Sequence, residues 1–173
     1  MATRIVADTL IPGRGEPIAD GVVVTNGDNI TYAGPVASAP PPSPDDAEFA
    51  VPAAMPGMWE AHGHFVGSPI PDLEAMATAD PGSLVARATA DAAATLNAGI
   101  TSLREVGGLG ISLKPVIDEG TIAGPRIYPS GSILSTTGGH ADIHGLPLDF
   151  VHSLETRGFG FGELCDGVPS CLL

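Results

Sequence analysis

The segment Glu60-Ala61-His62-Gly63-His64 carries two imidazoles separated by one residue, with a carboxylate just upstream. In an extended strand, residues two apart leave the same face, so Glu60, His62 and His64 are expected to project together. Two neutral imidazoles on one rigid element can reach a single divalent cation. Zinc is a usual choice, and a catalytic zinc adds a third protein ligand and a water. Taken alone, a His-x-His pair reads equally as two packed or exposed histidines at a polar strand end. A second cluster, Ser135-Thr136-Thr137-Gly138-Gly139-His140-Ala141-Asp142-Ile143-His144, sets three polar side chains on a glycine-bearing loop where a backbone can approach a ligand closely. Its plain alternative is a polar turn with solvent-facing histidines. Arg104, beside Glu105, could grip a carboxylate through its guanidinium fork or pair with a local acid, and the structural role is the simpler one. His152 has no partner that spacing identifies and reads as a surface residue.

These groups need elements to position them. Residues 3–10 and 21–34 are β-rich, and Asn26-Gly27-Asp28-Asn29 is a hairpin turn signal. The first 55 residues therefore read as a small all-β unit. Pro40, Pro41, Pro42 and Pro44 form a stiff, linker-like stretch before a short strand at 49–53. From Pro56 onward strands and helices alternate. The strand at 58–65 carries the His-x-His pair. Asp80-Pro81 is a helix start, and the alanine-rich run that follows ends at Asn97-Ala98-Gly99. A second strand is expected at 100–106, then a short helix at 111–119 kinked or started late by Pro115, then a third strand at 126–130. After Gly131 the chain reads as loop, through the glycine-rich run 157–162. Strand-helix alternation of this kind implies a parallel sheet, either doubly wound or the opening of a β/α barrel. Three such units cannot close a barrel of about 250 residues. In either fold ligands gather at the carboxyl ends of the strands, where the His-x-His pair falls.

Composition excludes several functions. Seven basic residues against 20 acidic ones give a net charge of −13, which argues against a nucleic-acid partner. An apolar share of 43% supplies a core, so the chain is not a disordered acidic segment. No apolar run reaches the length of a membrane span and no leader-like segment opens the chain, so neither a membrane partner nor export is expected; the expected location is the cytoplasm. Cys165 and Cys171 lack the paired spacing of a zinc ribbon and read as incidental thiols. No GxGxxG follows the first strand of the alternating region, which argues against a nucleotide-binding domain.

Four ordered motifs carry a resemblance. They are Met55-Pro56-Gly57-Met58-Trp59-Glu60-Ala61-His62-Gly63-His64; Ala98-Gly99-Ile100-Thr101-Ser102-Leu103-Arg104-Glu105-Val106-Gly107-Gly108; Gly120-Thr121-Ile122-Ala123-Gly124-Pro125-Arg126-Ile127; and Thr137-Gly138-Gly139-His140-Ala141-Asp142. Together they resemble the metal-dependent amidohydrolase superfamily, in particular its imidazolonepropionase-like and metal-dependent dipeptidase branch, over its N-terminal portion. The resemblance runs from about Ile5 to about Val168. It implies an α/β fold in which residues 1–55 form part of a small β-sandwich. Residues 56–173 would form the first β/α units of an incomplete (β/α)8 TIM-type barrel.

It further implies hydrolysis of amide or other C–N bonds by metal-activated water, on small-molecule amide, peptide-like or acyl-amino-acid substrates. His62 and His64 inherit the role of metal ligands for zinc or another divalent cation, one or two ions in the intact site. Glu60 stands behind them where the family usually has aspartate, and His140 and Arg104 are expected to line or support the substrate pocket. The single lysine, Lys114, falls in the short helix after the second strand rather than on a barrel strand. With the later ligands of the family unaccounted for, the chain is expected to be an N-terminal fragment with little activity alone. Pro169-Ser170-Cys171-Leu172-Leu173 stands where a long helix belongs, as a truncation or a change of frame would leave it. Two alternatives stand beside this: a non-catalytic truncated product whose open strand edges favour homo-oligomers, and a small metal-binding module built on His62, His64, His140 and His144.

Overall fold

The computed structural model describes residues 2–154 and 162–172. The chain divides into two compact units, Met1–Pro56 and Gly57–Leu173.

The first unit is one four-stranded sheet of β1 (Thr3–Leu10), β2 (Ile18–Asn26), β3 (Asn29–Pro35) and β4 (Ala47–Ala54), in the order β3-β2-β1-β4. β1 pairs antiparallel with β2 and parallel with β4. The hairpin turn stands where the Asn-Gly signal put it, with Gly27 at φ +56°. Ala7, Leu10, Val22 and Val24 are buried on this sheet. The proline-rich stretch is the connection that carries the chain from one sheet edge to the other. A parallel neighbour cannot be reached by a tight turn, and the stiff prolines make the crossing in few residues. Buried Arg4 anchors it by donating from Nη1 to the Pro40 carbonyl at 3.1 Å.

In the second unit β5 (Met58–Gly63), β6 (Ile100–Glu105) and β7 (Arg126–Pro129) form a parallel sheet in sequence order. Each strand adds on the same side of the one before, an order shared by the opening of a β/α barrel and by the first half of a doubly wound sheet. Two helices connect these strands. α2 (Pro81–Asn97) begins where Asp80 accepts the Ser83 N–H at 2.8 Å, with Pro81 as its first residue, and buries Leu84, Ala88 and Ala92 at helical spacing. α3 (Gly110–Asp118) follows β6, and Leu113 and Gly110 are its buried residues. These helices cover Leu103 of β6 and Ile127 of β7, and Phe65, Met76, Leu109, Ile143, Val151 and Leu154 share the same core.

Three expectations need correction. Pro115 does not delay α3, which begins five residues earlier. The carbonyl that loses its donor to the proline belongs to Ile111, an exposed residue where water can replace the bond. A further helix, α1 (Leu73–Thr78), stands between β5 and α2, capped by Asp72 on the Ala75 N–H at 2.7 Å. Six residues are too few to display a period in the sequence. The region after Gly131 is not all loop. It holds β8 (Ile133–Ser135), α4 (Leu148–Ser153), β9 (Gly162–Leu164) and α5 (Val168–Cys171), with β8 and β9 paired in parallel. Strands of three residues depend on tertiary pairing, and most of the glycine-rich run lies outside the described residues. Among the described residues no helix is long and apolar enough to cross a membrane.

Candidate active site

The carboxyl end of β5 sets the geometry. Glu60 lies opposite Leu103, and Gly63 lies opposite Glu105, so three steps on β5 match two on β6. One residue is therefore inserted, and the alternation that would align Glu60 with both histidines is broken. The Glu60 carboxylate instead accepts the backbone N–H of His62 at 2.9 Å, fixing the bulged segment rather than an imidazole. His62 and His64 do come together. Their ring centroids lie 5.2 Å apart with the planes at 76°.

His64 is oriented by the loop after β6. Its Nδ1 lies 2.8 Å from the carbonyl oxygen of Gly107. A carbonyl can only accept, so Nδ1 carries the proton and Nε2 of the neutral ring carries the lone pair. This is the second contact that metal-binding histidines generally make. The same loop is bonded to the end of β5 on both sides of that contact: Val106 N–H to Gly63 O at 3.1 Å, and Leu109 N–H to Phe65 O at 2.8 Å.

Beneath this loop lies Glu105, fully buried, a residue whose importance the sequence reading missed. Its Oε1 accepts the Gly110 N–H at 2.9 Å. Burial pushes its carboxyl above the usual range, against the N–H groups of Gly110, Phe65 and Gly107 and the charge of His64, which pull it down. The available signal was the Glu-Val-Gly-Gly-Leu-Gly run, in which three glycines follow a strand-end carboxylate.

His64 and His140 line one cavity of about 520 Å³, whose other walls are largely apolar, including Val66, Ile70, Leu73 and Met76. The histidine of the Thr-Gly-Gly-His loop thus faces the same space as the histidine just past the end of β5. Arg104 does not line that cavity; its Nη1 donates to the Tyr128 carbonyl on β7 at 3.0 Å. His144 lines a different depression with Asp72, Glu74 and Asp142. Among the described residues, no three His, Cys, Asp or Glu side chains converge as a metal cluster. The four-histidine module is therefore corrected: the loop holds His140 and His144 to separate cavities.

No family model matches the chain. Ochratoxinase of Aspergillus niger is 37% identical over 180 residues, a match that spans 96% of this chain and 37% of that protein. The crystal structure of A. niger ochratoxinase superimposes with a TM-score of 0.85 at 33% identity, covering 98% of this chain and 42% of that one. A prolidase solved with N-methylphosphonate-L-proline gives a TM-score of 0.83 at 29% identity over 98% of this chain and 41% of its own. An amidohydrolase crystal structure gives 0.81 at 25% identity. The chain spans about two-fifths of the length of the relatives it matches.

Proposed function

From homology that joins this chain to the amidohydrolases over their N-terminal portion, we propose that its β/α unit belongs to a metal-dependent hydrolase of amide and related C–N bonds. The observation that carries the reading is the His62–His64 pair at the carboxyl end of β5, with His64 and His140 lining one cavity. The donor set fits zinc or another borderline divalent cation. Two imidazoles stand at one strand end, and a carbonyl fixes the tautomer of one of them. A bound metal of this kind supplies Lewis acidity, polarising a scissile carbonyl and lowering the pKa of water.

The chain's own residues then divide the work. His62 and His64 hold the metal. The Gly107 carbonyl keeps the proton of His64 on Nδ1, and Glu60 holds the backbone at His62. His140 faces the substrate cavity, while Val66, Ile70, Leu73 and Met76 keep its wall apolar and favour an amide with an apolar substituent. Arg104 supports the sheet beneath the pocket through Tyr128. The substrate class is a small amide or peptide-like molecule, in keeping with the likeness to a prolidase and to an amidohydrolase.

A catalytic zinc takes three protein ligands, and among the described residues two imidazoles converge. The 173-residue chain by itself is therefore expected to bind metal loosely and turn over little substrate. The test is elemental analysis of the purified chain beside a His62→Ala/His64→Ala variant, followed by hydrolysis assays on N-acyl amino acids and Xaa-Pro dipeptides with added Zn²⁺, Co²⁺ or Mn²⁺. More metal in the wild type than in the variant supports the reading, and equal metal in both sinks it. Brisk turnover that vanishes in the variant would show that the chain completes the site alone.

A further inference from the structure

We propose that Glu105 is a positioning residue for His64, acting through the loop between β6 and α3; the proposal rests on the reading of His64 as a metal ligand. The side chain is completely buried, and its carboxylate sits inside a cradle of backbone that only glycine permits. A Cβ at Gly108 would stand 2.5 Å from Oε1, and a Cβ at Gly110 would stand 2.6 Å from Oε2. Gly107 and Gly108 have φ of +118° and +135°, a region that other residues rarely enter. The loop thus wraps the carboxylate, and Oε1 secures it by accepting the Gly110 N–H at 2.9 Å.

That loop carries the Gly107 carbonyl, which orients His64. Gly107 lies two residues from Glu105 and three from Gly110, so it is held from both ends of the cradle. Its oxygen takes the Nδ1 proton at 2.8 Å and leaves Nε2 as the basic nitrogen. Oε2 of Glu105 is buried with no hydrogen-bond partner among the described residues. Leaving a carboxylate oxygen unpaired in the interior is costly, and a helix start needs no such group, since exposed Asp and Ser cap helices well. A carboxylate retained there is accounted for by the fixed loop it produces.

The test uses the full chain, labelled with ¹⁵N and metal-free. The ring nitrogens of His64 report the tautomer directly, without any metal and without catalysis. Wild type is expected to show a protonated Nδ1 and an unprotonated Nε2 at His64. Glu105→Gln keeps an oxygen for the Gly110 N–H and is expected to keep that pattern. Glu105→Asp withdraws the carboxylate by one methylene and is expected to release His64 into a tautomer mixture, with Zn²⁺ affinity about 10- to 100-fold weaker. Gly110→Ala pushes on the same contact from the loop side and serves if the aspartate variant does not fold. Its expected effect is the same. An unchanged His64 tautomer in a folded Glu105→Asp or Gly110→Ala chain overturns the proposal and leaves Glu105 as a helix cap. If the tautomer shifts but wild type and His62→Ala/His64→Ala bind Zn²⁺ equally, the positioning stands and the metal reading falls.

Discussion

Glu105 and Arg4 are the charged side chains withdrawn from solvent among the described residues, and they are solved differently. Arg4 reaches the Pro40 carbonyl and lies 3.8 Å from Glu48, whereas Glu105 rests on backbone N–H groups. Burial raises the Glu105 carboxyl above its unfolded value, so the folded state binds its proton more tightly than the unfolded state does. Its contribution is fully present below the unfolded pKa and is lost as pH rises through the folded one. The prediction is that Glu105→Gln, which cannot ionise, gains in melting temperature relative to wild type as pH goes from about 4 to about 7. A constant gap across that range would mean that the carboxyl titrates normally. The two histidines and His140 were legible in the sequence because their types and spacing are local. Burial of Glu105 was not legible, because its adjacent Arg104 made it look like half of an ion pair.

At the scale of elements, the helix signals are physical and independent of context. Asp80 followed by Pro81 supplies an acceptor for an unpaired N–H and a residue whose missing N–H does no harm, and α2 starts there. Replacing Asp80 with Ala is expected to cost about 1 kcal/mol in chemical denaturation. A loss under a few tenths would show that α2 is held by packing alone. Leu113→Ala, which empties a fully buried position of α3, is expected to cost about 2–5 kcal/mol. That range can be read from the same denaturation curves. α1 escaped the sequence because a single turn and a half has no period to read, although its cap Asp72 was in plain view. β8 and β9 escaped because three-residue strands are created by their pairing, helped by Asp166 accepting the backbone and hydroxyl of Thr137.

For the molecule as a whole, surface chemistry sets the expectation. A net charge of −13 opposes close association, but the second unit exposes large apolar side chains. Trp59 is 55% exposed although it stacks on Tyr128 at 4.9 Å, and Leu134 is 59% exposed. Exposed apolar side chains of this size are available to a partner surface. The 17.4 kDa chain is expected to elute as an oligomer, and more so at high salt, where charge repulsion is screened. Trp59→Ser is expected to shift it toward monomer. A monomer at every salt concentration would contradict this, as would an oligomer indifferent to Trp59→Ser.

By itself the sequence determined what depends on neighbours along the chain: the hairpin at Gly27, the capped start of α2, the alternation of strands and helices, and the histidines placed at a strand end. Tertiary structure alone decided what depends on partners far along the chain. The strand order β5-β6-β7, with both pairs parallel, is defined only by hydrogen bonding between strands. The inserted residue in β5 breaks the alternation between Glu60 and the histidines, and it exists only as a mismatch between β5 and β6. Likewise the Gly107 carbonyl reaches His64 across 43 residues, a separation over which side-chain spacing carries no information.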